Sequence, residues 1–133
     1  MIISGEAIKE GVQRGIIGIE PFSEDEVEAV HINLHLGEVD SAQDGVVTIP
    51  AKGFLIARTK EKIMLPSNIC GLIEGRSKLA QQGISVEQSS KLIEPGSDNT
   101  MVLEIFNASD VDVQLSLGQK IAKMILLKIT NEI

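Results

Sequence analysis

Residues 100–107 read Thr-Met-Val-Leu-Glu-Ile-Phe-Asn, and residues 111–117 read Val-Asp-Val-Gln-Leu-Ser-Leu. The first run is apolar on both faces except for Glu104, which is the composition of a strand inside a sheet. The second alternates Val111, Val113, Leu115 and Leu117 with polar residues, which is the period of a strand buried on one face only. Toward the C-terminus, Gly118 turns the chain and Ile121–Ile129 forms a last apolar strand. Toward the N-terminus, Pro95-Gly96 marks a tight turn.

Arg76–Gln82 consists of good helix formers, and Gly83 stands where a glycine commonly ends a helix. Asn68–Glu74 reads as a buried strand, Phe54–Thr59 and Lys62–Leu65 as two strands, and Val46–Ile49 as another. In 30–36, Val30, Ile32, Leu34 and Leu36 alternate with His31, Asn33 and His35, which predicts a half-buried strand with the polar set outward. Ile16–Ile19 is a short strand, and Ser23–Glu28 is an acidic loop. The chain opens with a short helix capped by Ser4, with Glu6 in its first turn, Ala7, Ile8 and Val12 on its inner face, and Gly15 after its end. About ten short strands with one or two short helices predict an all-β fold, a sandwich or barrel. No repeat or linker divides residues 1–133, so one domain is expected.

Composition narrows the function. Against 12 Lys and Arg stand 19 Asp and Glu, a net charge of −7, which argues against nucleic-acid binding. Only Phe22, Phe54 and Phe106 are aromatic, so base-stacking platforms are lacking too. An anionic ligand would need a local cationic pocket on this acidic body. The single Cys70 permits no internal disulfide, and one thiol with two imidazoles is a poor set for zinc. No run of about 18 apolar residues spans a membrane, and no secretory signal is visible, so a cytoplasmic protein is expected.

Three places can carry chemistry. Gly75-Arg76-Ser77-Lys78 lies where a strand gives way to a helix, and its amides, hydroxyl and two cations suit a phosphate; alternatively it is a capped surface turn. Glu104 shares a face with Val102 and Phe106, where desolvation favours the protonated acid and suits a group that accepts and returns a proton; alternatively it is an edge charge facing water. Leu92-Ile93-Glu94-Pro95-Gly96 forms a turn whose Glu94 faces either its own amides or a ligand, and the polar run Glu87–Lys91 before it reads as an exposed hairpin. His31 and His35 are about 13 Å apart along a strand and cannot chelate one ion together, so they are expected to face solvent or an interface. Cys70 reads as a small core residue.

In this order, "INLHLG" (32–37), "RTKEKIMLP" (58–66), "GLIEGRSKLAQQGISV" (71–86), "KLIEPGSDNTMVLEIFN" (91–107) and "LGQKIAKMIL" (117–126) resemble the dCTP deaminase and trimeric dUTPase superfamily, and the deaminase branch above all. The resemblance implies a distorted β-barrel or jelly roll, a homotrimer with active sites at subunit boundaries, and zinc-independent hydrolysis of the 4-amino group of dCTP to dUTP and ammonia. It makes Glu104 the catalytic carboxylate and Ser77 the hydroxyl that helps hold water and phosphates. Arg76, Ser77, Lys78 and Gln81 become the phosphate-binding group. Ser89 and Ser90 lie where the base is read, and Ile93 and Glu94 where the deoxyribose packs. Magnesium is expected with the triphosphate, held largely by phosphate oxygens.

The chain departs from the family pattern. Lys78 replaces a small residue, Gln81 an Arg, Glu94 an Asp, Ser97 an aromatic residue, Asn99 a turn Gly, and Asn33 the first-motif Asp. After Ile133 neither the deaminase tail nor the Gly-rich dUTPase arm follows, and such closing segments exclude water from sites of this kind. The leading expectation, resting on Glu104 and the Gly-Arg-Ser element, is a dCTP deaminase-like enzyme, while these departures favour an impaired relative. A catalytically impaired trimeric binding or structural protein of the same fold, and a dUTP pyrophosphatase, are the alternatives.

Overall fold

The computed structural model describes residues 1–133. Ten strands form: β1 (Gly18–Glu20), β2 (Ile32–His35), β3 (Val46–Ile49), β4 (Phe54–Met64), β5 (Ile69–Gly75), β6 (Ile84–Ser85), β7 (Lys91–Ile93), β8 (Asp98–Asn107), β9 (Val113–Ser116) and β10 (Lys120–Lys128). Two α-helices join them, α1 (Gly5–Gln13) and α2 (Ser77–Ala80), with one 3₁₀ turn over Glu24–Glu26. The strands make three sheets, ordered β1-β4-β8-β6, β2-β10-β5-β7 and β3-β9, and every pairing is antiparallel. The result is the expected all-β, jelly-roll-like fold, with sheets that pack face to face without closing into a barrel.

A single cluster of 26 buried hydrophobic residues fills the space between the sheets. Strand period decides who enters it. Along β8, Met101, Leu103 and Ile105 point inward, and Val102, Glu104 and Phe106 take the opposite face. Asn107 ends that inward row fully buried (0% exposed), and its side chain satisfies the chain around it. Its Nδ2 donates to the carbonyls of Ile49, Pro50 and Val111 at 3.0, 3.2 and 2.8 Å, and its Oδ1 accepts from the Ser109 amide and hydroxyl at 3.0 and 2.7 Å.

Four expectations need correction. The two strands expected over 54–65 are one, β4, because the register shift between Arg58 and Lys62 absorbs the irregularity without ending the pairing to β8. Strand β2 is buried on both faces: Ile32 and Leu34 enter the core, Asn33 is buried, and His35 is not outward but held by carboxylates of β4 and the 3₁₀ turn, Glu61 and Glu26. The inner face of α1 is Gly5, Ile8 and Gly11, with Val12 packed against the core as expected, whereas Ala7 is exposed. A Cβ at Gly5 would sit 1.8 Å from the Glu28 carbonyl oxygen, so the glycine lets the helix lie against the chain after the 3₁₀ turn. Glu87–Lys91 is not a hairpin, because β6 and β7 belong to different sheets and the segment crosses between them. Cys70 is half-buried in β5.

Candidate active site

Two strand neighbours fix the position of Glu104. On one side β4 pairs Ile56 with Glu104 and Phe54 with Phe106. On the other, β6 pairs Ile84 with Asn107 and Ser85 with Phe106. Continuing that antiparallel register by two residues puts Glu87 opposite Glu104, on the face that Ser85 shares. The outer face of this sheet thus carries a row Ile56, Glu104, Glu87 beside a row Phe54, Phe106, Ser85. Glu104 is half-buried in its row.

Glu87 carries a perturbed carboxyl. Both its carboxyl oxygens are sealed from solvent and make no well-formed hydrogen bond, although the residue as a whole is only partly buried. Burial pushes its carboxyl up to about 7; the Glu104 side chain pushes the same way, and Lys91 opposes.

Glu87 also lines an open cleft of about 710 Å³ together with Arg76, Ser77, Ser85, Ser90 and Lys123. The cleft lies between the end of β5, the start of α2, the segment after β6, and β10. Helix α2 is a single turn begun by Arg76, which makes no side-chain cap and is half-buried. Gly83, at φ +86°, then reverses the chain into β6. Lys123 sits in β10 between Asn33 of β2 and Glu74 of β5, so a cation and a carboxylate share that wall.

Arg76, Ser77 and Ser90 therefore come together on the cleft, next to the carboxyl pair that includes Glu104. Lys78 and Gln81 are exposed on α2 and do not line it. Ser89 is exposed and outside it, with its hydroxyl donating to the Ser90 carbonyl at 3.4 Å. The Ile93 side chain is core, 1% exposed, and Glu94 spends its carbonyl on the Ser97 amide and hydroxyl at 3.2 and 2.6 Å. Sequence reasoning missed Glu87 and Lys123. Period alone could not find Glu87, because the Ser85–Phe106 pairing that leads to Glu87 and Glu104 together is not written in the sequence.

The comparisons fit this geometry. Residues 38–129, which contain the cleft residues from Glu74 to Lys123 and both acids, match the family model described as dCTP deaminase-like. The chain belongs to the dCTP deaminase-like family. It is 32% identical to the dCTP deaminase of Thermococcus kodakarensis over 84% of this chain and 76% of that protein. It is 28% identical to a dCTP deaminase, dUMP-forming, of Aquifex aeolicus over 97% of this chain and 82% of that one. Among solved structures, the 2'-deoxycytidine 5'-triphosphate deaminase from Agrobacterium tumefaciens shares the fold at a TM-score of 0.77 and 15% identity, covering 97% of this chain and 46% of that one. The EIAV dUTPase shares it at 0.66 and 22% identity, covering 87% and 91%. No helix of this family member is long and apolar enough to cross a membrane.

Proposed function

We propose that this chain hydrolyses the 4-amino group of dCTP, giving dUTP and ammonia, with Glu104 as general base and without zinc. The observation that carries this reading is the juxtaposition of the Glu104–Glu87 carboxyl pair with the cleft lined by Arg76, Ser77 and Lys123. A proton-handling group and an anion-binding wall are the two things the reaction needs. Arg76 and Lys123 face the triphosphate, Ser77 donates to a phosphate or to the attacking water, and Ser90 reads the base. Glu104 takes a proton from water as the oxygen adds to C4, and delivers it to N3. It then moves the hydroxyl proton to N4; the C4–N4 bond breaks with its electron pair on nitrogen, ammonia leaves and the C4 carbonyl forms.

Magnesium would enter on the triphosphate and neutralise phosphate charge. No cluster of carboxylates or imidazoles on this wall would hold the ion by itself, so the phosphate oxygens would be its ligands, with Glu74 the one exposed carboxylate on the lining. Lys78, Gln81, Ser89 and Glu94 have no part in this cleft within one copy; in a homotrimer with sites at subunit boundaries, a neighbouring copy is where they act. An uncovered apolar patch supports such an assembly. Phe54 and Ile56 are 51% and 61% exposed on the face that carries Glu104.

Ammonia release from dCTP with magnesium, by wild type and by Glu104→Gln, tests the reading. Wild type is expected to release ammonia, and the variant to be slower by roughly 10²–10⁴-fold. Equal rates would remove Glu104 from the chemistry, and no release by wild type would leave a nucleotide-binding protein of this fold. A second reading, in which dUMP and pyrophosphate are the final products, is favoured by the dUMP-forming relatives. Pyrophosphate appearing in step with ammonia would select it.

A further inference from the structure

We propose that Glu87 is the positioning residue of Glu104: in its protonated form it donates its O–H to the Glu104 carboxylate, holding that carboxylate in place, ionised and ready to take the proton of water. This rests on the deaminase reading of the site and adds to it a residue that neither the motifs nor the family resemblance singled out.

The first support is register. Ser85 pairs with Phe106 at the end of β6, and two residues further along each chain, on the same face, Glu87 meets the Glu104 side chain. The second is the state of the Glu87 carboxyl. Its two oxygens are shielded from water and make no well-formed hydrogen bond; the Glu104 side chain and the Glu104 amide are the polar groups of that strand that act on them. A buried carboxylate in that condition is costly. Two carboxylates are acceptors only and cannot bond to each other, whereas one proton between them supplies the missing donor and removes the repulsion. The third is location, because Glu87 lines the same cleft as Arg76 and Ser77.

The charges around Glu87 come from each element that meets it. Glu104 faces it from β8 and Lys91 from the start of β7; Arg76, Glu74 and Lys123 stand on the other walls of the cleft. Desolvation and the Glu104 side chain outweigh Lys91 and the Glu104 amide, and the Glu87 carboxyl is pushed up to about 7. Below about pH 7 Glu87 therefore keeps its proton beside Glu104. Keeping the pair at a single negative charge also spares an arriving triphosphate a second anion. The Glu87 proton is not consumed: it stays on the pair while Glu104 shuttles the protons of water.

The test is the pH dependence of kcat for ammonia release from dCTP. Wild type should lose activity by about tenfold or more between about pH 6.5 and 8.5, as Glu87 ionises against Glu104. Glu87→Gln keeps an N–H donor and cannot ionise, so its profile should stay within about twofold over that range. Glu87→Leu removes the donor, and at about pH 6.5 should lower kcat by roughly 10²-fold while KM for dCTP changes by less than about threefold. A flat wild-type profile overturns the proposal without any variant. So do superimposable wild-type and Glu87→Gln profiles, or an unchanged kcat in Glu87→Leu, and each of these leaves the deaminase reading standing. No ammonia from wild type at any pH overturns that reading and this proposal with it.

Discussion

Glu61 holds His35 at two points: one carboxylate oxygen accepts the His35 backbone N–H at 2.9 Å, and the other meets the ring Nδ1. The far ring nitrogen, Nε2, lies 3.2 Å from a Glu26 carboxylate oxygen. Glu61 belongs to β4 and His35 to β2, so this contact ties the two four-stranded sheets together beside the core. Glu61 is itself 3% exposed, and its position is set from behind by Thr59, whose hydroxyl donates to the Glu61 carbonyl at 2.8 Å and accepts from the Met101 amide at 2.9 Å. Glu61→Ala leaves a buried backbone donor and a ring nitrogen without partners. It should destabilise the protein by about 2–4 kcal/mol, with Glu61→Gln costing less because an amide oxygen still accepts the backbone N–H. Urea midpoints at one fixed protein concentration give the comparison, and equal midpoints for Glu61→Ala and wild type would contradict it.

Asn107 is a second polar tie, and its amide is used as an amide. Three carbonyls converge on Nδ2, so an oxygen there would face three acceptors. Asn107→Asp should therefore destabilise at neutral pH at least as much as Asn107→Ala, by about 3 kcal/mol or more. Acidification should recover part of the loss for Asp alone, since protonation restores one donor. A smaller effect for Asp than for Ala at neutral pH would show that the three carbonyls have other donors.

Glu87 also couples stability to pH. Its carboxyl binds a proton up to about 7 in the folded chain, against 4.5 as its ordinary value. Between those limits the native state holds more protons than the unfolded one, so unfolding releases them and the stability contribution falls as pH rises through the window. It is fully present below the ordinary carboxylate range and gone above about 7. Solvent access to the residue reduces the effect to about 1 kcal/mol. Melting temperatures of wild type and Glu87→Gln, measured across the window, should diverge with the wild type sloping downward. Parallel curves would mean that Glu87 ionises alike in the folded and unfolded chain.

Much of this was legible in the sequence because it rests on local rules. Strand period put Glu104 on one face with Val102 and Phe106, as observed, and Ser4 capped α1 as its side chain predicts, accepting from the Ala7 amide at 3.2 Å. What period could not supply was pairing. The His35–Glu61 contact spans 26 residues, and nothing in the alternation of 30–36 tells that a second sheet covers its polar side. The same gap hid Glu87: the run Glu87–Lys91 is polar and reads as exposed until β6 is known to pair with β8. Lys123 was invisible for a similar reason, since one Lys in an apolar strand gains meaning only from the Glu74 and Asn33 beside it. Arg76 and Ser77 were found because the chemistry of the tetrapeptide is local, whereas neighbouring Lys78, equally cationic, points away from the cleft.

The apolar patch on the β4–β8 face gives the last expectation. Phe54 and Ile56 are more than half exposed next to Phe106 and Val102, which are themselves only partly covered. Apolar area of this kind in a chain with only three Phe and no Trp or Tyr is where a second copy gains most by packing. Burying an Ile side chain of this exposure is worth about 1–2 kcal/mol per copy, and a lysine at the same place adds the desolvation of a charge that the facing apolar surface cannot pair. Ile56→Lys should leave the core untouched, because the residue makes no part of it, yet convert an assembly of three into single chains. Light scattering at micromolar concentration should give three times the chain mass for wild type and one times for the variant. The variant should also lose ammonia release with its melting temperature little changed below that of the dissociated wild type. A wild-type protein that runs as a monomer would overturn the assembly itself, and an Ile56→Lys variant that stays assembled would place the boundary between copies on some other face and take the Glu104 row out of it.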